Sequence, residues 1–256
     1  NTARYSSENI ERYLAEIMSE HMIERAIIMA AGIGQRLRPV TLTTPKPLVA
    51  VNGVRMIDTI IAALHKNGVH EIYIVVGYLK EQFYEWVKKY SGITLIENPW
   101  YAECNNIASL YVAREYLNNA IILDGDQIIR NPAILYREFT RSGYSCAWTD
   151  STTDEWLLTV KNGIVTKCSR TGGDHGWQLF SVSRWTAEDG QRLRKHMELE
   201  FVQNENRSIY WDDVAMFCHP DEYQFGVYPI SADDLREIDS FTELCEADPS
   251  YKGGFD

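Results

Sequence analysis

The stretch RAIIMAAGIGQRLRPVTLTTPKPLVAV, Arg25 to Val51, opens on a short apolar run, Ala26 to Ala31. Its length and partial β-branching predict a buried strand rather than a helix. The run breaks into a loop carrying Gly32, Gly34, Arg36 and Arg38, followed by Thr44-Pro45-Lys46-Pro47. Glycines directly after a buried strand let backbone N–H groups crowd around an anion, and two arginines and a lysine bring the charge to hold it. The pattern predicts a cradle for a chain of phosphates. It is not a P-loop, because no Gly-Lys-Ser/Thr closes it. Nor is it a dinucleotide fingerprint, because Leu37 stands in the place of the third glycine.

Working outward from this loop, Met56 to Asn67 predicts a helix with Ile57, Ile60, Ile61 and Leu64 inward and Gly68 as its stop. Strands are expected at Ile72–Val76, Thr94–Glu97 and Ala120–Leu123, and helices at Lys80–Tyr90 and Ile107–Tyr116. Strands alternating with helices indicate an α/β chain with a doubly wound, mostly parallel sheet. Beyond Pro132 the rhythm changes. A helix to Ser142 is expected, then strands at Ser145–Thr149, Leu157–Val160 and Ile164–Lys167, with Asn162-Gly163 marking an antiparallel hairpin. A further helix spans Ala187 to Glu200.

Before the loop, Ser7 to Met22 reads as a separate amphipathic helix: Ser7 caps it and Ile10, Leu14, Ile17 and Met18 share a face. The expected organisation is this helix over residues 1–22 and one catalytic-sized domain over 23–256. The helix is expected to pack on the domain, with a homodimer contact or a tether to a fused partner domain as alternatives. Asn1 opens the sequence, so Met22 is either a native start or the first segment belongs to a longer protein, and Lys252-Gly253-Gly254 is a plausible hinge.

A chain of 256 residues can bury a sizeable core, and a net charge of −11 argues against nucleic acid or an anionic membrane as partner. Five scattered cysteines without a C-x-x-C predict reduced thiols and a cytoplasmic setting rather than zinc or a disulfide framework. No apolar run approaches a membrane span. The six histidines show no metal-ligand spacing.

Leu123-Asp124-Gly125-Asp126 falls at the C-terminal end of an expected strand, where open α/β sheets place their ligands. Two carboxylates there form half of a Mg²⁺ site, since Mg²⁺ takes one or two carboxylates and fills its octahedron with water and phosphate. A further carboxylate must come from far away in the chain, and Tyr210-Trp211-Asp212-Asp213 is the best candidate.

The two linked loop motifs, A-A-G-x-G-x-R-L-x-P at Ala30–Pro39 and T-P-K-P-L at Thr44–Leu48, closely resemble the signature of nucleotidyltransferases that activate phosphorylated compounds with an NTP. Gly-Tyr-Leu-Lys-Glu-Gln-Phe (Gly77–Phe83), Tyr101 to Asn106, Glu155-Trp156 and Tyr210-Trp211-Asp212 narrow the resemblance. They point to bacterial CTP:phosphocholine cytidylyltransferases and their 2-aminoethylphosphonate siblings, over about Ile23 to the end. The resemblance implies a GT-A-like nucleotidyltransferase fold. It also implies Mg²⁺-dependent transfer of CMP from CTP to a small amine-bearing phosphate or phosphonate. It departs from the family where D-A-D-N reads Asp124-Gly125-Asp126-Gln127. On this match Asp126 and Asp212 are metal ligands, Asp213 being the close rival. Gly32, Gly34 and Arg36 meet the triphosphate, and Lys46 meets the α-phosphate and the acceptor. Ala30, Ala31, Asn98 and Asn106 meet the nucleoside, although Asn105, Asn106 and Ser109 suit helix capping almost equally. Trp156, Trp177, Tyr210 and Trp211 offer aromatic faces to a trimethylammonium, while Asp150, Asp154 and Glu155 suit a primary ammonium. A sugar-1-phosphate nucleotidyltransferase and a silent nucleotide-binding module are the alternatives.

Overall fold

Ile27 and Met29 face one side of the central strand and Ala26, Ile28 and Ala30 the other, and all five are buried, so helices must cover both faces. The computed structural model describes residues 21–253. In chain order, β1 (His21–Met22) and β2 (Arg25–Ala30) lead into three short 3-10 turns through the loop. There follow β3 (Ala50–Val51), β4 (Val54–Arg55), α1 (Met56–Lys66), β5 (Glu71–Val76), α2 (Glu81–Trp86), β6 (Ile93–Glu97) and α3 (Ile107–Val112). The chain then gives β7 (Ala120–Asp124), β8 (Gln127–Ile129), β9 (Glu138–Phe139), β10 (Gly143–Thr149), β11 (Leu157–Lys161), β12 (Ile164–Ser169) and β13 (Gly176–Trp185). It closes with α4 (Ala187–Glu198), β14 (Gly226–Pro229), β15 (Leu235–Glu237) and α5 (Phe241–Ala247).

The main sheet runs β12-β11-β13-β7-β2-β5-β6, with β10 paired to β13 and β14 to β10. β7, β2, β5 and β6 are mutually parallel, and β13 joins β7 antiparallel. The sheet is therefore mixed and mostly parallel in its first half. The α1 residues Ile57, Ile60, Ile61 and Leu64 and the α2 residues Phe83 and Trp86 fill one face. The α3 residues Ile107 and Leu110 and the α4 residues Leu193 and Met197 fill the other. Burying each such side chain stabilises by roughly 1.5–3 kcal/mol. A third, smaller core ties Ile238 and Leu244 of the last segment to Leu37, Val40 and Val49 under the glycine loop.

The expected hairpin is present: β11 and β12 pair around Asn162 and Gly163, both at positive φ, 53° and 76°. Three expectations need correction. Pro132–Leu135 is a single 3-10 turn, not a helix to Ser142. The Ile134 carbonyl that would continue it accepts instead from Arg184 Nη2 at 2.8 Å, and Glu138–Phe139 are drawn into pairing with β1. His21–Met22 is accordingly strand, so the amphipathic segment does not reach Met22; its remainder lies outside the described residues. The helices expected to end at Tyr90 and Tyr116 break into 3-10 turns after Trp86 and Val112.

Candidate active site

The glycine loop leaves the C-terminal end of β2 and folds back over it. Gly34 adopts φ 67°, and a Cβ there would stand 3.1 Å from both Lys46 Cβ and Thr41 Cγ2, so only glycine fits without displacing the lysine. Thr41 Oγ1 donates to the Gly34 carbonyl at 2.7 Å. The Gly77–Phe83 motif braces the loop from the neighbouring strand. The Tyr78 N–H donates to Ala31 O at 3.1 Å, its hydroxyl donates to Thr41 O at 2.8 Å, and Gln82 Nε2 donates to Thr43 O at 2.6 Å. Gly77 is required because a Cβ would strike the Tyr101 ring at 2.7 Å.

Beside this loop, Asp124-Gly125-Asp126 turns at the end of β7. The Gly125 N–H donates to Met29 O at 2.8 Å, and a Cβ would meet that same oxygen at 3.0 Å. The glycine thus lets both aspartates lie against β2. Lys46 is 8% exposed, and its ammonium bridges Asp126 Oδ2 at 2.6 Å and Asp239 Oδ1 at 3.1 Å. Burial would lower its pKa, but the two carboxylates outweigh burial and raise it, so the lysine carries its charge. Arg36 Nη2 reaches the same Asp239 oxygen at 3.0 Å while most of its guanidinium faces solvent.

Asp212 arrives from the far half of the chain on a short helical turn and accepts from the Tyr144 hydroxyl at 2.9 Å. Burial, reinforced by the neighbouring charge of Asp213, pushes its carboxyl up to about 7 despite that hydrogen bond. Asp124 is held well above the ordinary carboxylate range by burial and then by the charges of Asp126 and Asp212. The three aspartates therefore share one field. Asp213 is committed elsewhere: it accepts from Arg170 Nη2 at 2.5 Å and from the Tyr210 N–H at 3.0 Å.

The glycine loop, Lys46 and the strand-end aspartates rim a cleft of about 540 Å³ whose lining includes Ala30 to Leu37, Lys46, Asp124, Asp126, Asp239, Asn98, Asn106 and Ser109, but not Asp212. Asn98 donates to Ser109 Oγ at 3.0 Å and accepts from the Trp100 N–H at 2.9 Å. Asn106 makes no side-chain cap; its Oδ1 accepts from the Trp211 N–H at 2.9 Å and so ties the asparagine loop to the Asp212 turn. Trp211 itself is 4% exposed, with its ring 5.9 Å from Trp185, so its face belongs to the core rather than to the cleft. Trp156 lies edge-on to Tyr210 at 6.0 Å and to Phe217 at 5.8 Å, an exposed aromatic patch on the Asp213 side. Glu155 is an exposed residue whose carboxyl pKa is raised by partial burial and then by Asp239 and Asp154, while Arg36 lowers it.

Sequence reasoning missed Asp239, Glu237, Arg170 and Phe217. Glu237 closes β15 and Asp239 follows two residues later, on a segment that an isolated strand of three residues did not announce. Ser240 and Glu243 form a capping box for α5 that was readable in the sequence and would have fixed the segment's start.

Among the described residues no three histidine, cysteine or carboxylate groups form a ready metal cage. Carboxylates are the donor type of a hard divalent cation, which takes one or two of them and leaves its remaining positions to phosphate oxygens and water, and the charges of Asp126 and Asp212 both act on Asp124.

Residues 25–146 match the family described as Nucleotidyl transferase. A 2-aminoethylphosphonate cytidylyltransferase of Lancefieldella rimae is 37% identical over 229 residues, covering 88% of this chain and 92% of that protein. The chain belongs to the cytidylyltransferase branch of the nucleotidyltransferases. A choline-phosphate cytidylyltransferase of Streptococcus pneumoniae is 32% identical, covering 89% of this chain and 92% of that one. A solved structure of the CTP:phosphocholine cytidylyltransferase from Streptococcus pneumoniae superposes with a TM-score of 0.81 at 34% identity, over 88% of this chain and 98% of that one. This cytidylyltransferase-type fold is the doubly wound α/β architecture expected from the sequence. The chain is an enzyme of the nucleotidyltransferase class. Among the described residues no helix is long and apolar enough to cross a membrane, and all five cysteines are free thiols.

Proposed function

We propose that this cytidylyltransferase moves CMP from CTP to a small amine-bearing phosphate or phosphonate, phosphocholine or 2-aminoethylphosphonate, with Mg²⁺ as cofactor. The observation that carries the reading is the Lys46–Asp126 bond of 2.6 Å, which joins the glycine loop to the strand-end aspartates across eighty positions of sequence. An acceptor oxygen attacks the α-phosphorus of CTP, the bond from that phosphorus to the bridging oxygen breaks, and pyrophosphate leaves with the electron pair. The attacking oxygen is already ionised, so no general base is needed, and catalysis rests on positioning and charge neutralisation.

Gly32 and Gly34 offer their backbone N–H groups to the triphosphate, and the exposed Arg36 guanidinium swings from Asp239 to the outer phosphates. Lys46, kept charged by Asp126 and Asp239, sits where the α-phosphate and the acceptor meet. Asp126 and Asp212 would hold the cation, which would supply neutralisation of charge on the transferring phosphoryl group. The bond of Asp213 to Arg170 supports Asp212 over its neighbour in this role. Ala30 and Ala31 border the nucleoside with Asn98 and Asn106, whose side chains shape that end of the cleft through Ser109 and the Asp212 turn. Glu155, Trp156 and Tyr210 border the acceptor, whereas Trp211 supports the turn from within the core. Pyrophosphate release from CTP with each acceptor, with hexose-1-phosphate plus UTP as control, tests the reading. Release with an amine-bearing acceptor is expected, and release with the sugar phosphate alone would overturn it.

A further inference from the structure

A second hollow adjoins the cleft. It encloses about 420 Å³ between the start of α2 and the end of β6, with Tyr78, Lys80, Glu97 and Pro99 in its lining. Its lining and that of the cleft have two residues in common, Asn98 and Tyr101, so the two spaces meet at one wall. Asn98 is 3% exposed, and its carboxamide is spent on Ser109 and the Trp100 N–H. The movable part of the wall is therefore the Tyr101 side chain.

That side chain is held in place. A Cβ at Gly77 would stand 2.7 Å from both Cβ and Cγ of Tyr101, so the tyrosine rests directly on the backbone where β5 ends. The Tyr78 ring packs beside it, centroids 6.4 Å apart. Tyr78 in turn donates to Ala31 O and Thr41 O, which anchors the partition to the phosphate loop.

We propose that Tyr101 determines which bases the nucleoside end of the cleft accepts: it is a partition that admits a single six-membered ring and shuts out the second ring of a purine. This rests on the cytidylyl-transfer reading, with the nucleoside beside Asn98 and Asn106. A filled wall rejects a longer base for the same steric reason that a packed core rejects added atoms. Removing the ring joins the cleft to the second hollow. There the Lys80–Glu97 ion pair, 2.6 Å long, offers a donor and an acceptor to the edge of a longer base. Cytosine and uracil share one frame, so the partition makes no choice between them.

The test measures kcat/KM for CTP, UTP, ATP and GTP at saturating 2-aminoethylphosphonate or phosphocholine, whichever supports pyrophosphate release, in the wild type, Tyr101→Phe, Tyr101→Leu and Tyr101→Ala. The wild type is expected to favour CTP over ATP and GTP by about a hundredfold or more, and Tyr101→Ala to narrow that ratio about tenfold through a gain with the purines. Tyr101→Phe keeps the ring and should match the wild type. Tyr101→Leu shortens it and should fall between, which decides the matter should the alanine variant lose its fold. The CTP-to-UTP ratio should stay the same in all four proteins, separating a lost partition from a generally loosened site. Purines used as well as CTP by the wild type, an unchanged purine ratio in Tyr101→Leu and any folded Tyr101→Ala, or a CTP-to-UTP ratio that falls as far as the purine ratio would overturn the proposal. Pyrophosphate from no nucleotide with either acceptor would overturn the underlying transfer reading instead.

Discussion

Glu237 is a carboxylate that the fold holds at a cost. Its pKa rises from 4.5 to about 7 because burial, Asp126 and other neighbouring acids disfavour its charge. A raised folded-state pKa means that the folded protein binds the proton more tightly than the unfolded chain does. The cost is therefore absent below about pH 4.5, grows as pH rises, and is complete above about pH 7, reaching on the order of 3 kcal/mol. Glu237→Gln keeps the oxygen that accepts from Gln127 and removes the charge. The variant is expected to melt several degrees higher than wild type at pH 8 and equally at pH 4.5, measured by thermal denaturation. Gains at both pH values, or at neither, would contradict this account. Asp58 shows the opposite sign. Burial raises its pKa, but Tyr90, Trp86 and Lys89 outweigh burial and lower it. Asp58→Asn is expected to destabilise by about 1–2 kcal/mol at pH 7, a loss that narrows as the pH falls below about 4. Urea titrations at the two pH values would reveal a constant gap if the bonds did not depend on charge.

At the scale of elements, the phosphate loop keeps its shape because α2 and the turn before it hold it from outside. Tyr78→Phe removes the hydroxyl donor to Thr41 O, a bond of about 1 kcal/mol. The expected outcome is a KM for CTP raised about three- to tenfold with little change in melting temperature; an unchanged KM would show that the loop needs no brace. The loop, the β2–β7 strand ends and the alternating first half were legible in the sequence because short apolar strands, glycine spacing and 3.6-residue periodicity are local signals. The turn at Pro132 was not, because its fate is decided by Arg184, fifty residues later, taking the Ile134 carbonyl. Trp211 was misplaced for a related reason: Tyr-Trp-Asp-Asp says that an aromatic residue is present, but only Trp185 across the core decides which way its ring turns. The β15–α5 segment was overlooked although it delivers Asp239 to Lys46, since a three-residue strand carries almost no periodic signal.

Across the whole molecule, the site is made by closing the chain on itself. The glycine loop comes from the first fifth, Asp126 from the middle, Asp212 from beyond the antiparallel half, and Asp239 from the last segment, packed down by Ile238 and Leu244 on Leu37 and Val40. Lys46 stands at the junction, bonded to two of these partners, and among the described residues no lysine or arginine forms an ion pair with Asp124 or Asp212. The most direct measurement is the rate of pyrophosphate release from CTP and acceptor for Lys46→Ala and Asp126→Asn against wild type, at matched folding by circular dichroism. Convergence on one transfer site predicts a fall of about 10²–10³-fold in each variant, the scale of losing a preorganised electrostatic group. Wild-type rates in either variant would contradict it.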